Sequence, residues 1–176
     1  MCIRDRDYRD VADGPYDAIS SIGMAEHVGR AQMAGYAAHL TGLLRPGGRL
    51  LNHAIAWNAA PTHQDADTFI ARYVFPDGEL LGLAAMTAAL EAAGLEVLDV
   101  EALRRHYALT LRAWVARLEE HWDEAVAATS DGRARVWRLY MAASALAFEA
   151  GNMGINQILT QRPGGDPPPL RRTAWI

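Results

Sequence analysis

Three places in this sequence carry side chains better suited to handling protons than to packing. Glu26 and His27 follow a short apolar run, His53 sits late in a second such run, and Tyr107 lies just beyond a third. A carboxylate accepts hydrogen bonds, an imidazole donates or accepts, and a phenol donates. Brought together, they would make an acidic, hydrogen-bonding pocket for a small polar species. Each feature also has a plainer reading. A Glu-His pair after a strand equally caps the following helix. Tyr140, Ser144 and Phe148, spaced i, i+4 and i+8 on one helical face, equally serve as core.

The elements that would position these residues follow from the hydrophobic pattern. Residues 16–23 (YDAISSIG) read as a buried parallel strand. Helical spacing over 28–44 stops at Arg45-Pro46-Gly47-Gly48, and 49–55 (RLLNHAI) reads as a second buried strand. Its Asn-His pair is not what packing alone would choose. Residues 56–77 are irregular and interrupted by proline. A helix is expected over 79–93, ended by Gly94, and then a strand over 95–100. This alternation predicts an α/β fold with a mainly parallel sheet. Two amphipathic helices then follow, 107–128 and 133–150, with Asp131 as the N-cap of the second. A helical pair inserted before a last strand at 155–161 reads as a lid or substrate-binding element. One domain would therefore span 7–161. Residues 1–6 read as an artefactual or disordered leader, and the Pro- and Arg-rich 162–176 as a flexible tail. In such sheets ligands bind at the carboxyl ends of the strands, which is where Glu26, His53 and Tyr107 fall.

Composition narrows the classes of function. The net charge of −4 leaves no global basic field for nucleic acid. Every basic residue is arginine, and the single cysteine, Cys2, excludes an internal disulfide framework or a cysteine zinc cluster. No apolar run approaches the roughly 20 residues of a membrane span, and no secretory leader is evident. The expectation is a cytoplasmic protein.

Residues 20–29 read SSIGMAEHVG, preceded by DYRD at 7–10. LRPGG (44–48), NHAI (52–55), YVFPDG (73–78), HYALTLRAW (106–114) and Asn156-Gln157 follow in order. This series resembles the cyclopropane-fatty-acid and cyclopropane-mycolic-acid synthases, which are class I methyltransferases dependent on S-adenosyl-L-methionine (SAM). The matches run from about Asp7 to Gln161. RPGG alone is common to many methyltransferases, whereas the ordered series is specific.

The resemblance implies a Rossmann-like fold and a methyl transfer to the cis double bond of a phospholipid acyl chain. The cation so formed loses a proton to a bound bicarbonate, closing a cyclopropane ring. It assigns Glu26, His53 and Tyr107, with the backbone of Ile55, to holding the bicarbonate. Tyr140 and Phe148 would flank the reacting carbon, and Ser144 stands where the family often has cysteine. Tyr8 and Arg9 would touch SAM on the adenine side, and Ile22 and Gly23 would also contact it. Trp57, Tyr73, Phe75 and Trp114 are read as packing that also suits an acyl tunnel. Glu149 stands where the family usually has arginine.

The family's glycine-rich SAM loop, the acidic residue that follows it and three strand-helix units have no counterpart before Asp7. The resemblance therefore implies a fragment with little SAM affinity and no turnover alone, and with strand edges left exposed. It also implies transient contact with the inner face of the membrane. A homodimer is compatible with the sequence. Related readings are a fatty-acid C-methyltransferase giving methyl-branched or methylene products, an unrelated small-molecule methyltransferase of the same fold, and a non-catalytic lipid-binding protein.

Overall fold

One long strand organises the molecule, a computed structural model that describes residues 3–58 and 68–167. This strand, β2 (Leu44–Trp57), pairs in parallel with β1 (Tyr16–Ile22) on one side. On the other it pairs antiparallel with β5 (Met153–Gln161), which pairs antiparallel with β4 (Glu96–Ala102). The two-residue β3 (Leu81–Gly82) pairs in parallel with the end of β2. Four strands thus run one way and β5 runs against them. The sheet is mainly parallel as the sequence predicts, but its last strand is reversed.

Side-chain alternation along β2 divides the core in two. Leu50, Asn52, Ala54 and Ala56 are buried against α2 (Met33–Leu43) and α4 (Leu83–Ala92). Ile55 and Trp57 project from the opposite face into a second cluster with Leu111, Ala145 and Phe148. Those residues belong to α5 (Arg104–Glu120) and α7 (Asp131–Ala150), which flank the short α6 (Trp122–Ala128). The inserted helices stand between β4 and β5, where the sequence places them.

Several boundaries differ from the sequence reading, each for a local reason. The Arg-Pro-Gly-Gly segment lies inside β2, because Leu44 already pairs with Tyr16. The helix expected over 28–44 is broken at Gly29, whose φ of 74° is left-handed. It appears as α1 (Ala25–Val28), a 3-10 turn and then α2. α4 starts at Leu83 because Leu81 and Gly82 extend the sheet. The first inserted helix begins earlier, at Arg104, and breaks at His121. Ser130, not Asp131, caps α7: its hydroxyl accepts from the Arg133 N–H at 3.1 Å. β1, expected to be buried, is an edge strand, and Ile22 at its end is 67 % exposed.

Arg4 and Arg6 lie at 2.5 and 3.7 Å from the Asp13 carboxylate. Arg162, the first residue of the expected tail, exchanges backbone hydrogen bonds with Gly47 and Gly48, both at 2.8 Å. Its guanidinium also binds the carbonyls of Thr41 and Leu44 at the end of α2. Residues 168–176, which that expectation also covers, lie outside the described residues, as do 59–67 of the irregular stretch.

A buried polar knot holds β1 and β2 to α2. The Tyr36 hydroxyl lies 2.6 Å from Ser21 Oγ and 2.9 Å from Asn52 Oδ1, with all three residues buried. Burial pushes the Tyr36 hydroxyl up to about 12, from an ordinary value near 10. A pKa raised in the folded state gives stability that is complete below pH 10 and lost as pH climbs through 12. The shift corresponds to about 2–3 kcal/mol. In urea titrations between pH 9 and 12, Tyr36→Phe is expected to flatten the alkaline loss of stability. It should leave a residual slope from Tyr107 and Tyr140, whose hydroxyls are also raised by burial. At neutral pH the same substitution should cost about 1–2 kcal/mol, because Ser21 and Asn52 lose a shared partner.

Candidate active site

The chain leaves β1 through Gly23, whose φ of 66° turns it sharply and whose N–H donates to the His53 carbonyl at 2.9 Å. Two residues later α1 begins, placing Glu26 in its first turn. The Glu26 side chain is 9 % exposed, and its Oε1 accepts from the backbone N–H of Ile55 on β2 at 2.8 Å. Its Oε2 is buried without a hydrogen-bond partner. A buried carboxylate oxygen left unpaired is costly, so it marks a place where a donor belongs. Helix capping therefore does not account for Glu26, since its acceptor serves a neighbouring strand.

A cavity of about 220 Å³ opens beside this carboxylate. Its walls include Gly23, Glu26, His27 and Ile55 from the strand ends, Tyr107 from α5, Tyr140 and Ser144 from α7, and Met153 from β5. Ile70 from α3 (Phe69–Tyr73) and Phe75, Gly78 and Leu80 from the segment after it close another side. The lining is mostly apolar, with one carboxylate and three hydroxyls. Desolvation, with smaller contributions that include the Glu26 charge, raises the Tyr107 and Tyr140 hydroxyls, and the Ser144 hydroxyl bonded to Tyr140 pulls the other way. Both phenols therefore stay protonated and remain donors. Among the described residues, no group of three or more His, Cys, Asp or Glu is placed to hold a metal ion.

Of the residues singled out in the sequence, Glu26, Ile55, Tyr107, Tyr140, Ser144 and Gly23 line this one cavity. Phe148 lies behind it, fully buried and edge-on to the Tyr107 ring at 5.1 Å. His53 stands on the same sheet face, level with Ile22, but is not among the lining residues; its Nδ1 is buried and unpartnered. Tyr8 and Ile22 line a second cavity of about 470 Å³ on the β1 side, with Tyr16, Met24 and Leu40. The consecutive residues Ile22 and Gly23 thus border two cavities. Arg9 lies apart, exposed and paired with Asp7 at 2.6 Å. Trp57 packs in the α5–α7 core, Trp114 stands edge-on to Tyr107 at 6.0 Å, and Glu149 pairs with Arg112.

Sequence reasoning did not assign site roles to Ile70, Gly78, Leu80 and Met153, whereas His27, which it grouped with Glu26, does line the cavity. The signal for part of this group was the Phe75–Leu80 run, a tight turn in which the Gly78 N–H donates to the Phe75 carbonyl at 3.2 Å. The turn is pinned to α1, because the Glu79 N–H donates to the Glu26 carbonyl at 2.9 Å and the Glu79 carboxylate accepts from the Arg30 N–H at 2.8 Å. Glycine is favoured at position 29 by its φ of 74°, and a Cβ there would also push against the Glu79 carboxylate at 2.9 Å.

The family model of mycolic acid cyclopropane synthetase matches residues 1–158. A probable fatty acid methyltransferase, Rv3720, of Mycobacterium tuberculosis is 47 % identical over 172 residues, covering 96 % of this chain and 40 % of the relative. A probable fatty acid methyltransferase of Pseudomonas putida is 46 % identical, covering 91 % and 42 %. The chain therefore spans about two fifths of the length of these curated relatives. Among solved structures, the mycolic acid cyclopropane synthase CmaA1 complexed with SAH and CTAB superposes with a TM-score of 0.80 at 28 % identity. That superposition covers 88 % of this chain and 58 % of the other.

The Glu26–Ile55 hydrogen bond makes a prediction about stability. Glu26→Gln keeps an acceptor for the Ile55 N–H and should unfold within about 1 kcal/mol of the parent. Glu26→Leu strands that N–H and should be less stable by about 1–3 kcal/mol in urea titrations. Equal midpoints for the two variants would show that the bond does not hold α1 to β2.

Proposed function

The chain belongs to the mycolic acid cyclopropane synthetase family, and from that premise we propose that it forms the acyl-chain and proton-handling part of a SAM-dependent fatty-acyl methyltransferase. The observation that carries this reading is the unpartnered Glu26 Oε2, buried beside an apolar cavity edged with hydroxyls. An acyl chain suits the apolar wall, and the polar edge suits a small species that both donates and accepts. Bicarbonate fits that description: Glu26 would accept its O–H, and the Tyr107 and Tyr140 hydroxyls would serve as donors to it. When bound, it supplies a general base for the proton lost after methyl transfer to a cis double bond. The residues of this chain hold it close to the reacting carbon and keep water away.

SAM is assigned to the cavity on the β1 side. Tyr8 and Ile22 line that cavity, and Gly23, next in sequence, lines the other, so the methyl group would pass at this junction. The exposure of Ile22 and the free side of β1 support a further SAM-binding portion, of the kind the relatives' greater length has room for. His53 lines neither cavity and stands only as the register partner of Ile22 on the neighbouring strand, while the exposed Arg9 has no support as a SAM contact. The same reading puts the protein in the cytoplasm and in transient contact with the inner membrane surface. Among the described residues no helix is long and apolar enough to cross a membrane. The leading product is a cyclopropane acyl chain. A methylene or methyl-branched chain is the second reading, favoured by the naming of both relatives as probable fatty acid methyltransferases.

The test is a chimera in which residues 7–161 replace the matching segment of the Pseudomonas putida relative. It is expected to add one carbon from SAM to unsaturated phospholipid acyl chains, read by lipid mass spectrometry. Mass then sets apart a saturated methyl-branched chain, which carries two more hydrogens, and mild hydrogenation separates the two isomeric products, since a methylene group takes up hydrogen and a ring does not. Glu26→Gln in the chimera should lower turnover by about 100-fold or more, with SAM binding nearly intact. An active chimera whose Glu26→Gln form keeps most of its turnover would remove Glu26 from the proton-handling role.

A further inference from the structure

Long acyl chains leave water for a bilayer, so a cavity that takes one from a phospholipid has to open onto a lipid surface. The walls of the cavity beside Glu26 indicate where it opens. Of its lining residues, Gly23, His27, Ile70 and Gly78 are exposed, whereas the rest are buried or half-buried. The two glycines carry no side chain, and His27 is polar. Ile70, which is 41 % exposed, is therefore the apolar side chain that joins the cavity to the outer surface.

Ile70 does not stand alone. Tyr73, three residues further along α3 and so on the same helical face, is 48 % exposed. The Phe69 ring packs against Tyr73, with the centroids 5.4 Å apart. The short helix is held at both ends: Thr68 Oγ1 accepts from the Ala71 N–H at 3.1 Å, and Arg133 on α7 donates to the Tyr73 carbonyl at 2.9 Å. The result is an anchored apolar knob with a phenol at its side, and such rings suit the boundary between hydrocarbon and water. Arg72 and Arg133, both exposed, bring guanidiniums of the kind that bind phosphate to the same helix and its anchor. Leu109 on α5 and Leu146 on α7 are more exposed than Ile70, but neither lines this cavity.

We propose that α3 is the membrane-docking element of this chain. Ile70 and Tyr73 enter the headgroup boundary of a phospholipid bilayer, and an acyl chain passes from that layer along Ile70 into the cavity. This rests on the acyl-chain reading given above and gives the membrane contact a definite surface. α3 touches no reacting atom in this scheme. Its part is to hold the mouth of the cavity against the lipid, so that the chain does not cross water.

Sedimentation of the 176-residue chain with vesicles of cis-unsaturated phosphatidylethanolamine and phosphatidylglycerol reads this contact. The parent should bind, and the double variant Ile70→Ser, Tyr73→Ser should bind about tenfold more weakly, because interfacial binding scales with the apolar area buried. Leu109→Ser and Leu146→Ser should stay within about twofold of the parent. A folded double variant that loses less than about threefold overturns the proposal, and so do control variants that lose as much as the double variant. If circular dichroism finds the double variant unfolded, Tyr73→Ser alone decides: a loss of about threefold or more supports the docking role, and a smaller one overturns it. A parent chain that binds no vesicles also overturns the proposal. Calorimetric titration of that parent with oleate then separates the two readings: bound oleate leaves the acyl-chain reading standing, and no binding refutes both.

Discussion

Every part of this molecule is placed by the requirement that β2 satisfy its backbone on both edges and its side chains on both faces. Its edges are met by strands from opposite ends of the sequence, β1 and β5. Its faces are met by two helical layers, α2 with α4 and α5 with α7. Because side chains alternate along a strand, a shift of one residue would exchange these layers. Asn52 would leave Tyr36, and the N–H of Ile55 would no longer meet Glu26. The polar knot on one face and the site on the other thus depend on the same register.

The two faces use polar groups in opposite ways. Around Tyr36 the buried hydroxyls and amide find one another, and the result is rigidity. Around Glu26 the satisfaction stops halfway: one carboxylate oxygen is bound by the strand and the other is buried without a partner beside an apolar cavity. The bound oxygen fixes the position of the free one. Tyr107 and Tyr140 reach the same cavity from different helices, and burial keeps both protonated. A preorganised set of donors and one acceptor in a mostly apolar pocket is the arrangement on which the proposed binding of a small oxyanion rests.

Much of this was legible in the residues. The strands carrying Ser21 and Asn52, the inserted helices and the gathering of Glu26, Tyr107, Tyr140 and Ser144 all follow from pattern and motif order. What pattern did not reveal depends on contacts distant in sequence. The reversed direction of β5 leaves no trace in its composition, because a strand buried on both faces reads alike in either direction. The entry of Arg-Pro-Gly-Gly into β2 depends on a partner residue in β1. Residues 75–77 looked irregular and Glu79 and Leu80 looked helical because the order of this turn comes from hydrogen bonds to Glu26 and Arg30, some fifty residues earlier. His53 is the informative case. Its motif is in place and its ring faces the expected side of the sheet, yet the cavity wall passes it by.

The antiparallel pairing of β2 with β5 also bears on how the protein is made. His53 faces Gln157, roughly a hundred residues further along the chain. At ~5–20 residues per second, a ribosome needs about 5–20 s to deliver that partner after β2 has emerged. Throughout that interval the strand that bears the site has one edge of unpaired backbone N–H and C=O groups, and α5 and α7 have no finished sheet to rest on. Although β5 is made after the other described strands, it completes the centre of the sheet and not its margin. A nascent chain stalled or cut short before Met153 would expose that unfilled slot to chaperones and to other nascent chains.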